Sequence, residues 1–117
     1  MSSERESKTQ HKIMTTVKNN GGYVYKNAQS MFTEVGRPDL TVCVPTTLKR
    51  LNELYKEDDV IGLFAGIEVK RPGRLDGVSE AQKVVGAQIR KAGGIWLLLD
   101  DPDLATALML RYKDVHI

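Results

Sequence analysis

Toward its C-terminal end the chain carries "GGIWLLLDDP", Gly93 to Pro102, in which Ile95 to Leu99 include no polar residue. Five apolar residues held between a glycine pair and an Asp-Asp-Pro turn are too few for a buried helix. They read as a β-strand buried on both faces. Such a strand belongs in a sheet with helices packed against it, and its flanks supply them. Before it, "SEAQ" opens a helix capped by Ser79, with Ala81, Val85, Ile89 and Ala92 toward the core and Gly93–Gly94 closing it. After it, "DPDLATALMLRYK" predicts a helix with Asp101 as cap and Pro102 in its first turn.

Upstream, about Glu4 to Asn19 predicts a helix ended by "NNGG", with Ile13, Met14 and Val17 as its few apolar residues. Helical spacing puts Gln10 and Glu6 on the same stripe, inward or along its rim. "YVYK", Tyr23 to Lys26, predicts a strand; "NAQSMFTEVGRP" is a loop without a clear period; "DLTVCVP", Asp39 to Pro45, predicts a second strand stopped by its proline. "TTLKRLNELYKEDD", Thr46 to Asp59, predicts a helix capped by Thr46 or Thr47, with Leu48, Leu51, Leu54 and Tyr55 on one side. A third strand, about Val60 to Lys70, contains Gly62 and Gly66, which suggest a bulge or bend. The expected fold is therefore α/β: a mixed central β-sheet flanked by helices, with an inserted helix between the second and third strands. At 117 residues it is one domain, 1–117.

Several function classes drop out. No apolar run approaches the roughly 18 residues that span a bilayer, so no membrane role is expected. The polar start "MSSERESKTQHK" lacks the apolar centre of a signal peptide. The single cysteine, Cys43 in "LTVCV", has no internal disulfide partner and reads as a buried thiol. A reducing, cytoplasmic setting is expected. A net charge of +2 permits nucleic-acid binding without arguing for it.

The chemistry concentrates in "GIEVKRPG", Gly66 to Gly73. Alternation along the strand puts Ile67 and Val69 on one face and Glu68 and Lys70 on the other. Asp39 opens the second strand straight after "GRP". If the second and third strands pair, Asp39 and Glu68 meet across the sheet at about 5 Å. Two facing carboxylates repel unless a cation lies between them, and hard oxygen ligands at that spacing suit Mg²⁺ or Mn²⁺. Lys70 cannot ligate the ion; it can hold a water or neutralise charge on a phosphate, which makes a phosphodiester-hydrolysing site. Each piece also has a plain explanation. Glu-x-Lys serves as a solvated face or an ion pair, and Asp39 as a turn residue. Ser79-x-x-Gln82 is a capping box, and Glu6 favours a helix dipole.

"GRPDL", "GIEVKRPG", "SEAQ" and "KAGGIWLLLDD" together resemble the VRR-NUC branch of the PD-(D/E)XK nuclease superfamily, over about Glu6 to Asp103. Pro38-Asp39 is similar to the PD element, Glu68-Val69-Lys70 to the (D/E)XK element, and Gln82 to the glutamine on the helix after the sheet. Glu6 and Gln10 resemble the acidic first-helix motif. The resemblance implies a restriction-endonuclease-like fold in which Asp39, Glu68 and the carbonyl of Val69 bind Mg²⁺ or Mn²⁺. It also implies that Glu6 completes the site and that Lys70 and Gln82 act on the water or phosphate. One departure stands out. Between Asp39 and Glu68 lie 28 residues, where the family has a tighter hairpin. This insertion would lengthen the hairpin, contact DNA or form a dimer surface; its leucine stripe is expected to cover core, with a subunit contact as the alternative.

Basic residues gather near the expected site: Lys26, Arg37, Arg71 and Arg74, with Arg90 and Lys91 further along. Around a metal they would cradle phosphates; singly, they are solvated surface. Without a base-reading module, recognition should follow backbone shape. His11 and His116 receive no ligand role, and Trp96 reads as core. Stand-alone members of the family resemble Holliday-junction resolvases working as homodimers. The expected activity is thus a metal-dependent, structure-selective DNA endonuclease of a bacterial or phage-infected cell. The rival is a DNA-binding module that keeps the fold without the chemistry.

Overall fold

The computed structural model describes residues 3–28 and 35–113. Its elements follow the expected order: α1 (Ser3–Asn19), β1 (Tyr23–Lys26), β2 (Leu40–Cys43), α2 (Leu48–Leu54), β3 (Ala65–Val69), α3 (Glu80–Lys91), β4 (Ile95–Leu99) and α4 (Asp103–Tyr112). The protein is α/β. Part of the 27–38 loop, and His116, lie outside the described residues.

The strands do not join into one central sheet as expected. β1 and β2 form an antiparallel pair, Tyr23 opposite Cys43 and Lys26 opposite Leu40, while β3 and β4 form a separate parallel pair, Ala65 opposite Ile95 and Val69 opposite Leu99. The missing ladder is the one between β2 and β3. A tight turn sets the register of a hairpin, and here β2 stops after Cys43 and the chain runs through residues 44–64 before β3 begins. The third strand is also shorter than the expected Val60–Lys70: residues 60–63 form no strand, and Phe64 joins the ladder only through its carbonyl, which accepts from the Ile95 N–H at 2.9 Å.

The two sheets meet where the end of β2 approaches the starts of β3 and β4. Cys43 is buried, its Sγ 3.6 Å from the carbonyl of Ala92. Burial also pushes its thiol pKa up. Ile89, on α3, is buried between glycines: a Cβ on Gly66 would stand 3.0 Å from Ile89 Cδ1, and one on Gly94 would stand 2.9 Å from its Cγ2. Side chains at these two positions would crowd Ile89 and force it to shift. Buried Gly86 lies under Trp96, whose ring also carries the Arg90 guanidinium 5.2 Å from a centroid. Arg90 is thereby tied to Trp96 on β4, whose carbonyl its guanidinium also reaches at 3.3 Å.

Burial departs from expectation at three further places. Ile95 to Leu99 are half-buried, not enclosed on both faces, since only α3 packs on β4 to a substantial extent. On α3 the buried residues are Gly86 and Ile89, with Ala92 just after, whereas Ala81 and Val85 are exposed. The α2 leucine stripe does not cover core: the helix is seven residues long, capped by the Thr47 side chain, and none of its residues is buried. The Cα radius of gyration, 17.0 Å, exceeds the about 13 Å of a compact chain this long, in keeping with so much apolar surface left open.

Candidate active site at the ends of β3 and α3

The face of β3 that carries Gly66, Glu68 and Lys70 lies against α3, and Glu68 and Lys70 are half-buried there. The apolar face is the open one, with Val69 76% exposed. The usual arrangement of apolar in and polar out is therefore reversed on this strand.

What covers the polar face is Gln82. Ser79 caps α3: its hydroxyl accepts from the Gln82 backbone N–H at 3.1 Å, and its own N–H donates to Gln82 Oε1 at 3.0 Å. That reciprocal pair fixes the glutamine side chain at the helix entrance. Held this way, Gln82 Oε1 also accepts from Lys70 Nζ at 3.1 Å, and Gln82 Nε2 donates to Glu68 Oε2 at 2.9 Å. One amide therefore serves the helix cap and also bridges Lys70 and Glu68. An acid, a base and the amide that bridges them sit at the C-terminal ends of parallel strands, where open α/β sheets bind their ligands.

Ser79→Ala removes the cap and the grip on Gln82 together. The variant is expected to lose about 1 kcal/mol of stability in urea titration, and Ser79→Asp, which can still cap, most of it regained.

The loop after β3 is tied to the same edge. Lys70 N–H donates to the Leu99 carbonyl at 2.8 Å, and Gly73 N–H to Asp100 Oδ2 at 3.1 Å, while Arg74 N–H closes a turn on the Arg71 carbonyl at 2.9 Å. Arg71 and Arg74 are exposed beside the Glu68–Gln82–Lys70 set, and Arg74 stands 3.8 Å from Asp76 in an exposed ion pair. In the sequence Asp100 belongs to the strand-ending turn, and an acid two residues before a proline gives no hint that it anchors a loop 27 positions earlier.

The remaining candidates lie elsewhere in the fold. Asp39 precedes β2 and is exposed. Its position is held by buried Asn27, to which the sequence gives no role beyond opening a loop. The Asn27 N–H donates to the Asp39 carbonyl at 2.9 Å, and Nδ2 donates to the Pro38 carbonyl at 2.8 Å and to Thr41 Oγ1 at 2.9 Å. Because β2 pairs with β1 and not with β3, no ladder brings Asp39 opposite Glu68. Glu6 is exposed on α1, whose main packing is against β1; Gln10, Met14 and Val17 form the half-buried stripe. Lys26 ends β1 and is exposed, as is Arg37 before β2. Lys91 lines a cleft of about 420 Å³ with Lys18, Tyr23 and Gln88, at the far end of α3 from Gln82. Among the described residues, no three His, Cys, Asp or Glu side chains gather closely enough to hold a metal ion.

No protein-family model, curated protein or solved structure matches the chain.

Proposed function

We propose that the protein is a metal-dependent, structure-selective DNA endonuclease that hydrolyses phosphodiester bonds, similar to the VRR-NUC branch of the PD-(D/E)XK superfamily and acting on branched DNA such as a four-way junction as a homodimer. The observation that carries this reading is the hydrogen-bonded set Glu68–Gln82–Lys70, next to a turn bearing Arg71 and Arg74.

Each side chain has a definable task. Lys70 presents an ammonium group that can neutralise charge developing on a phosphate oxygen. Gln82 spaces Lys70 from Glu68, so the two do not collapse into a direct ion pair. Glu68 offers carboxylate oxygen, of which Oε2 is engaged by Gln82, and Val69 offers its carbonyl at the strand end. These are hard donors suited in kind to Mg²⁺ or Mn²⁺; Asp39 and Glu6, which the resemblance would add to them, stand apart from this set at the start of β2 and on α1. A divalent ion bound there would supply Lewis-acid stabilisation and a more acidic water. Lys26, Arg37, Arg71 and Arg74 would contact phosphates and make binding salt-sensitive. Among the described residues no helix is long and apolar enough to cross a membrane.

The test is a substrate panel: labelled four-way junction, flap and linear duplex, each with Mg²⁺, Mn²⁺ or EDTA. Expected is cutting of branched substrates that EDTA abolishes and Asp39→Ala eliminates while binding persists. Binding without cutting under either metal would establish the DNA-binding module instead. Neither binding nor cutting would overturn both readings.

A further inference from the structure

We propose that the arm formed by residues 44–64, with α2 at its centre, is a contact surface for a second copy of this chain, packed antiparallel about a two-fold axis. The arm carries apolar side chains open to solvent: Leu48 is 80% exposed and Val60 96%, and Val44, Leu54, Tyr55 and Leu63 are exposed as well. Single exposed apolar residues are ordinary, but several along one segment mark an interface.

The charges say what covers it. Lys49 and Arg50 lie at the start of α2, while Glu57, Asp58 and Asp59 follow its end. A two-fold contact brings residue i of one copy against residue j of the other, and j against i. Antiparallel packing thus sets the basic start of each arm against the acidic end of its partner, with Leu48 meeting Leu54 and Tyr55 across the axis. Parallel packing would oppose like charges. The existing Arg50–Glu53 pair, 2.9 Å long, is exposed on both sides, so it is weak and can be exchanged for a partner across the axis. Nucleic acid fits less well, because the arm carries three basic and four acidic side chains.

This surface deepens the homodimer part of the nuclease reading and rests on that part alone. Oligomeric state is measured without DNA or metal, so it can fail while the Glu68–Gln82–Lys70 chemistry stands, and the reverse.

Light scattering on the full chain at micromolar concentration is expected to give the mass of two 13.0 kDa chains. Leu54→Lys should weaken association at least about thirtyfold, with an unchanged circular dichroism spectrum. Charge reversal checks the antiparallel geometry without touching apolar contacts. Lys49→Glu with Arg50→Glu should be monomeric, as should Glu57→Lys with Asp58→Lys and Asp59→Lys, and mixing the two variants should restore the two-chain mass. A monomeric wild type, a dimer indifferent to Leu54→Lys, or charge-reversed variants that fail to complement each other would overturn the proposal.

Discussion

On the proposed nuclease reading, Lys70→Met is expected to lower junction cleavage by about a hundred- to a thousandfold under single turnover, with junction affinity nearly unchanged. The long apolar stem is kept, so packing of α3 over β3 should persist. What disappears is the ammonium group that Gln82 Oε1 holds at 3.1 Å. Arginine is no substitute. Its planar fork is longer and cannot place one nitrogen where Nζ sits, so Lys70→Arg should lose most of the rate as well. Arg74→Ala, one turn away in the exposed loop, should instead weaken binding and flatten its salt dependence while sparing the rate on bound DNA. Two variants on one loop, one affecting the chemical step and the other the affinity, would separate the reacting group from the phosphate contacts. A Lys70→Met enzyme that cuts at close to the wild-type rate would remove Lys70 from the reaction.

The largest stability effect is expected at Ile89. Only Val24, Cys43, Ile89 and Ala92 are buried apolar residues among those described, so few side chains hold the sheets and α3 together. Ile89→Ala should cost about 2–5 kcal/mol, because Gly66 and Gly94 line the space it fills and backbone cannot collapse into the void. Against a total of about 5–15 kcal/mol for a typical domain, that loss is enough to unfold a marginal chain. Urea titration measures it directly; a midpoint unchanged from wild type would mean that α3 is held by other contacts.

What could be read from the sequence was local. The order of elements, β1 at Tyr23–Lys26, the Ser79–Gln82 capping box and the buried Cys43 each depend on residues within one turn or one strand. What could not be read depends on parts of the chain distant in sequence. The β2–β3 pairing failed because 21 residues between Cys43 and Ala65 leave register unspecified, and the approach of Asp39 to Glu68 was inferred from that pairing. The leucines of α2 have the spacing of a core-facing helix, but spacing says only which residues share a face, not what the face meets. On β3 the alternation was right, but which face meets α3 was not legible, since it depends on Gln82 holding the polar side there. Asn27 and Asp100 were invisible for the same reason: each acts on backbone groups that only the fold brings near.

Gln82 stands in the first turn of α3, and helix ends open and close far more often than whole domains unfold. Each brief fraying of that turn would release Lys70 and Glu68 together. On the proposed nuclease reading, cleavage should therefore fade on warming before the molecule melts, with a thermal ceiling set by a single loosening turn rather than by the core.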